Sequence, residues 1–156
     1  MSVVRFNDTD LDIMVQIFRS VRLLDSMMEK GISEFNIPLA QFNVMGFIYY
    51  SEHPMTVTEI AEKSLVSKAN VTGLVKRLES AKLVKKTHDE NDARIRYIHL
   101  TAKGMKLIEK VLPRYFDITK DAMSIFSDRD KKKFLGFLDH IEGFLRVKYE
   151  SERRGK

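Results

Sequence analysis

The 156 residues, 44% hydrophobic and 31% charged, suffice for one compact domain with a core and a solvated surface, with or without an added oligomerisation element. Cysteine is absent, which excludes disulfides, thiolate metal ligands and a cysteine redox switch. The net charge of +5 is uneven, −3 over residues 1–55, +3 over 56–101 and +5 over 102–156, which suits a polyanionic partner on one side of the molecule.

Met1-Ser2-Val3-Val4-Arg5 runs into polar Asn7-Asp8-Thr9-Asp10 without an apolar stretch, so no signal peptide is expected. No uncharged apolar run approaches the ~20 residues that span a bilayer. The expected location is cytoplasmic, with no membrane partner.

Thr9 to about Ser33 has helical periodicity with more than one apolar stripe: Leu11, Met14, Val15, Phe18 and Val21 on one face, Ile13, Ile17, Leu24 and Met28 on another. A surface helix of a small monomer needs one stripe, so the second should bury against another subunit. A loop over residues 31–37 leads to Pro38, suited to a first helical turn. The next helix runs to about Glu52, feeding Leu39, Phe42, Met45, Phe47, Ile48 and Tyr49 to the core, and His53-Pro54 ends it.

Thr58 is a cap candidate for a short helix from Glu59 to Leu65, with Glu59 and Glu62 near its positive end. Ser67 can cap a second helix, with Val66 and Val71 spaced for a hydrophobic staple. Val71, Leu74, Val75 and Leu78 follow the i, i+3, i+4, i+7 rule and define a buried face. The opposite side carries Ala69, Thr72, Gly73 and Lys76, flanked by Asn70 and Arg77. Small, hydrogen-bonding and cationic side chains suit base edges and phosphates.

Leu83 to Thr87 and Ile95 to Leu100 are strand-like, and His88 to Arg94 between them is rich in turn formers. This order, two short helices and then a hairpin with a charged tip, is the layout of a winged helix-turn-helix. An acidic tip alone would be repelled by phosphate. Asp92, two residues before Arg94, can instead buttress the guanidinium and aim it at a minor groove.

Thr56-Val57-Thr58-Glu59-Ile60-Ala61, Val66-Ser67-Lys68-Ala69-Asn70-Val71-Thr72, Val75-Lys76-Arg77-Leu78-Glu79, Asp92-Ala93-Arg94 and Leu100-Thr101-Ala102-Lys103-Gly104 together resemble the MarR family of bacterial and archaeal transcription regulators. The resemblance covers the DNA-binding core closely and the flanking helices more loosely. Gly73, where relatives often carry a longer polar or basic side chain, and Arg96, where a family strand residue is commonly apolar, depart from the pattern in ways that bear on operator sequence.

After Gly104 a long helix resumes through Leu107, Ile108, Val111, Leu112, Tyr115 and Phe116 to about Phe126. Pro113 inside it should kink or break it. Ser127 reads as a cap, and the last helix carries Phe134, Leu135, Phe137, Leu138, Ile141, Phe144 and Leu145, with Ser151 to Lys156 frayed.

Enzyme readings find no support. The seven glycines are scattered, no Gly-x-Ser-x-Gly elbow or His-Glu-x-x-His helix is present, and His53, His88, His99 and His140 lie in different elements. No cofactor and no metal are expected.

The reading is a mainly α fold with a small β-hairpin wing. One subunit, residues 1–156, contains a winged helix-turn-helix over 38–101 and dimerisation helices over 9–35 and 102–150. The resemblance likewise implies an intertwined homodimer, with two reading heads matching a palindromic double-stranded DNA operator. The DNA-binding candidates are Ser67, Lys68, Ala69, Asn70, Thr72, Gly73, Lys76, Arg77, Asp92, Arg94 and Arg96. In relatives a small aromatic or phenolic molecule often binds between the dimer helices and the reading head, and Phe18, Met45, Tyr49 and Tyr115 are candidates to line such a pocket. A repressor released by such an effector is therefore expected. The alternatives are a winged-helix adaptor for protein contacts and a constitutive DNA-binding protein without ligand control.

Overall fold

A computed structural model describes residues 5–154; Met1 to Val4, at the start where no signal peptide is expected, and Gly155 and Lys156 of the expected frayed end, lie outside them. The first helix, α1 (Thr9–Ile32), starts where Asp8 accepts a hydrogen bond from the Leu11 N–H at 2.9 Å. Its last turns bury Met28 and Ile32. Leu11, Ile13, Met14, Phe18, Val21 and Leu24 are exposed in the single chain. A 3-10 turn (Ser33–Phe35) ends at Asn36, whose φ of 52° is one that Asn tolerates. α2 (Leu39–Tyr49) follows, three residues shorter than expected, and Pro38 stands at its cap rather than in its first turn.

The next cap also differs from the sequence expectation. Thr56, not Thr58, begins α3 (Val57–Ser64): its hydroxyl accepts from the Glu59 N–H at 3.2 Å, while the Glu59 carboxylate accepts from the Thr56 N–H at 2.6 Å. This reciprocal capping box satisfies two N–H groups at once, which Thr58 has no Glu or Gln at the right spacing to do. Leu65 leaves the helix at φ 54°. Ser67 then caps α4 (Lys68–Ser80), as its position implied, accepting from the Asn70 N–H at 3.3 Å.

The wing consists of β2 (Val84–His88) and β3 (Arg96–Leu100), each starting one residue later than the sequence reading, with His88 inside the strand. A third strand, β1 (Met55–Thr56), pairs antiparallel with β3, Met55 opposite Ile98 and Thr56 opposite Tyr97. The sheet order is β1-β3-β2. β1 fixes the root of the wing directly before α3.

α5 (Ala102–Ala122) is one helix across Pro113 and stops before Phe126. Ile108 and Val111 before the proline and Ile118 after it are all buried, so packing on both sides outweighs the roughly 3 kcal/mol that an internal proline costs. α6 (Asp128–Arg154) is capped by Ser127, which accepts from the Asp130 N–H at 3.2 Å, and it stays helical past Ser151 instead of fraying there.

The chain divides within α5, after Ile118, into two compact units. In the first, Ile32, Met45, Met55, Ile60, Val71, Leu78, Ile98 and Ile108 are fully buried, joining α1, α2, α3, α4, the sheet and α5 in one core. In the second, the apolar side chains Phe134, Leu135, Phe137, Phe144 and Leu145 of α6 remain exposed.

Candidate nucleic-acid interface

α4 is split along its length. Val71, Val75 and Leu78 are buried and Leu74 packs partly buried beside them, so the 3.6-residue period seats this face on α2 and α3. Ser67, Lys68, Ala69, Asn70, Thr72, Lys76 and Arg77 are exposed, and Gly73 is half-buried. The Thr72 hydroxyl donates to the Lys68 carbonyl at 2.7 Å. Its donor is therefore committed to the helix, leaving an acceptor and a methyl group for any partner. A Cβ at Gly73 would meet only the Arg77 guanidinium, at 3.9 Å, so the middle of this face is low and open.

The wing tip is pinned from inside. Asp89 accepts from the N–H groups of Asn91 at 2.8 Å and Asp92 at 3.0 Å, and the Asp89 N–H donates to the Ile95 carbonyl at 3.1 Å. These N–H groups, with the Tyr97 hydroxyl, hold the Asp89 carboxyl below the usual carboxylate range. The charge of Asp89 in turn pushes the Tyr97 hydroxyl up. Asp92 grips Arg94 in fork geometry: Nε and Nη2 donate to its two oxygens at 3.0 and 2.9 Å, and the Arg94 N–H donates at 2.9 Å. The guanidinium lowers the Asp92 carboxyl and is itself raised.

The Arg94 side chain is 90% exposed all the same. An ion pair so open to water adds little stability, so its effect is to aim a cation. Arg96 is exposed at the start of β3, opposite His88. His88 adds a contact that composition alone did not single out, its Nδ1 lying 2.9 Å from the Ala93 carbonyl and closing the tip. Lys86 meets Glu79 at 2.6 Å, tying the wing to α4.

Behind α4 lies a cavity of ≈ 820 Å³. Asn43, Gly46 and Phe47 of α2 with Tyr50 at its end, Asn70, Leu74 and Arg77 of α4, and Leu112, Tyr115 and Phe116 of α5 line it. Of the four side chains expected at a pocket, Tyr115 borders this cavity, 5.1 Å from Phe42 between ring centres. Met45 is sealed in the core, Tyr49 turns to the core fringe, and Phe18 is 62% exposed on α1. The α2 residues could have been found from their spacing, since 43, 46, 47 and 50 fall at i, i+3, i+4, i+7, beside core residue Phe42, which also borders the cavity.

Among the described residues no group of His, Asp and Glu is placed to hold a metal ion, and no helix is long and apolar enough to cross a membrane.

A sequence model of the MarR family matches residues 35–95, the segment that holds α2, α3, α4 and most of the wing. The transcriptional regulator TcaR of Staphylococcus aureus is 30% identical over 131 residues, covering 82% of this chain and 85% of TcaR. The chain belongs to the MarR family. The MarR-family fold and the helix-turn-helix make it a DNA-binding regulator of transcription. The transcriptional repressor YetL of Bacillus subtilis is 27% identical over 132 residues, covering 84% of this chain and 79% of its own. The solved complex of S. aureus MepR with DNA has the same fold, with a TM-score of 0.77, 22% identity, and coverage of 83% of this chain and 96% of MepR.

Proposed function

We propose that this MarR-family regulator acts as a homodimer on a palindromic double-stranded operator, as a repressor that a small aromatic or phenolic molecule releases. The observation that carries the reading is the pairing, in one compact unit, of a polar exposed α4 face with an arginine held out at the wing tip by Asp92. Lys68, Asn70, Thr72, Lys76 and Arg77 are the side chains for bases and phosphates in the major groove, and Arg94 the cation for the neighbouring minor groove. Arg96, at the wing, adds a further phosphate contact.

Homodimer formation is supported by the apolar side chains that α1 and α6 leave exposed, beyond what a solvated helix face carries. Two-fold symmetry then sets two α4 helices against two half-sites one helical turn apart. Repression is supported by the likeness to the repressor YetL, and contact with DNA by the likeness to MepR in its DNA complex. Release by an effector is supported by the cavity, whose Phe47, Tyr50, Tyr115 and Phe116 offer ring contacts on one side of α4. The protein works in the cytoplasm by binding, without catalysis.

The test is fluorescence anisotropy with a labelled fragment of the promoter of its own gene. Binding in the range of about 10⁻⁸ to 10⁻¹¹ M, far tighter than to unrelated duplex and falling steeply with salt, supports the reading. Weak binding, indifferent to sequence and salt, would instead favour the adaptor.

A further inference from the structure

The exit of α4 and the entry of α5 are bolted together. α4 ends at Ser80 with Ala81 at its cap, and the chain turns through Lys82, whose φ of 59° is the left-handed conformation that non-glycine residues adopt rarely. Beyond the helix end, three successive carbonyls, those of Ala81, Lys82 and Leu83, are all taken by the segment that opens α5. The Thr101 hydroxyl donates to Lys82 O at 2.7 Å and lies 3.2 Å from Leu83 O, the Thr101 N–H donates to Leu83 O at 3.0 Å, and the Lys103 ammonium donates to Ala81 O at 2.9 Å.

The same Thr101 oxygen accepts from the Gly104 N–H at 3.0 Å, so one hydroxyl caps α5 while holding the turn that leaves α4. Gly104 lies so close to the Leu83 carbonyl that a Cβ there would collide with it. Lys103 is the telling residue. In the first turn of its own helix a cation opposes the macrodipole, and α5 has no acid there to offset it. At the carboxyl end of α4 the same ammonium is favourable. Its placement is explained by α4, not by α5.

Resting on the operator-binding reading above, we infer that Thr101 and Lys103 form a rigid joint that sets the orientation of α4 from α5, as positioning residues without DNA contact of their own. α5 is held further along by Arg114, which donates to the Gly31 carbonyl at 3.3 Å, and by Gly31 itself, packed so closely on the Ile118 side chain that a Cβ would displace its end. It also supplies Leu112, Tyr115 and Phe116 to the cavity. A shift of α5 is thus delivered to the recognition helix at its carboxyl end through this joint.

The experiment uses the full chain with Thr101→Val, Thr101→Ser and Lys103→Met. Affinity is measured for the operator and for a copy with one base pair inserted between the half-sites. Wild type should discriminate between the two. Thr101→Val and Lys103→Met should lose about fivefold or more of that discrimination, with the slope of log affinity against log salt unchanged, and Thr101→Ser should behave as wild type.

Hydrogen exchange on the free proteins gives a readout without DNA: amides at the end of α4 and the start of α5 should lose protection together in Thr101→Val and not in Thr101→Ser. Discrimination equal to wild type, a salt slope lower by one in Lys103→Met, or exchange confined to α5 would each overturn the joint. Failure of wild type to bind any operator would strike the operator reading instead, and the exchange result would still decide the joint.

Discussion

The guanidinium of Arg94 faces the carboxylate of Asp92 edge to edge, Nε and Nη2 donating in parallel at 3.0 and 2.9 Å. Two bonds fix the plane of the guanidinium where one would leave it to rotate, and a cation held in one plane loses less freedom on entering a narrow groove.

Arg94→Ala is expected to weaken operator binding and to lower the salt slope by about one unit per subunit, with Tm nearly unchanged because the tip has little packing to lose. Asp92→Ala should weaken binding less and leave the slope in place. Because Arg94 holds the Asp92 carboxyl below its unfolded value, the brace is intact above the ordinary carboxylate range and is lost only as pH falls through the lowered value. An NMR titration of the Asp92 carboxyl should show that lowered midpoint in wild type and its return toward normal in Arg94→Ala.

Gly73→Ala should stabilise the protein. A mid-helix glycine costs roughly 0.5–1 kcal/mol relative to alanine, and the new methyl meets nothing nearer than the Arg77 guanidinium at 3.9 Å. A Tm raised by about 2–4 °C, with an unchanged salt slope and an altered preference at one operator position, is the expected outcome of calorimetry and binding. A lowered Tm would show that this face of α4 is already covered.

The Thr56–Glu59 box gives a pH signature of its own. Thr56→Ala should cost about 1 kcal/mol in urea denaturation at neutral pH. Hydrogen bonds from the Thr56 backbone first, and its hydroxyl second, lower the Glu59 carboxyl. Its stabilisation is therefore full above the ordinary glutamate range and lost as pH falls through the lowered value. The difference between wild type and Glu59→Gln should accordingly shrink in acid.

Gly46 offers a way to close the cavity. A Cβ there meets nothing within 4 Å, and the residue lines the cavity wall. Gly46→Leu should keep operator affinity while abolishing release by a simple phenolic acid that dissociates the wild-type complex. Release that persists in the variant would move the effector site elsewhere.

Sedimentation should find a dimer at micromolar concentration, and Phe144→Asp, on an exposed position of α6, should shift it toward monomer without unfolding the reading head. A wild type that sediments as a folded monomer would remove the two-fold operator from consideration.

What was legible in the chain follows the range of the interactions. Ser67 and the 71, 74, 75, 78 stripe could be read because a cap and its helix face are settled within a few residues. Asp92 and Arg94 could be read for the same reason. Thr58 reads as the cap from sequence although only Thr56 has Glu59 three residues on, because Met55-Thr56 is too short to announce itself as a strand. Its pairing with Ile98 and Tyr97 spans more than forty residues and has no local signature. The clasp of Thr101 and Lys103 on residues 81–83 is hidden likewise: Lys103 looks misplaced until the end of another helix is put beside it. Met45, Tyr49 and Phe18 show the limit of apolar pattern alone, which marks a residue for burial without saying which of two faces or which chain will bury it.

Thr56 has a place in two elements, opposite Tyr97 in the sheet and at the head of α3, with no residue between. One inserted residue at that junction would slip the strand by one and turn Met55, fully buried, out of the core. The tip has no such obligation, since Asp89 and Ile95 close the backbone across it. Wings of other lengths and chemistry could therefore be grafted between residues 89 and 95, retargeting the protein to a different minor groove while the body below stays as it is.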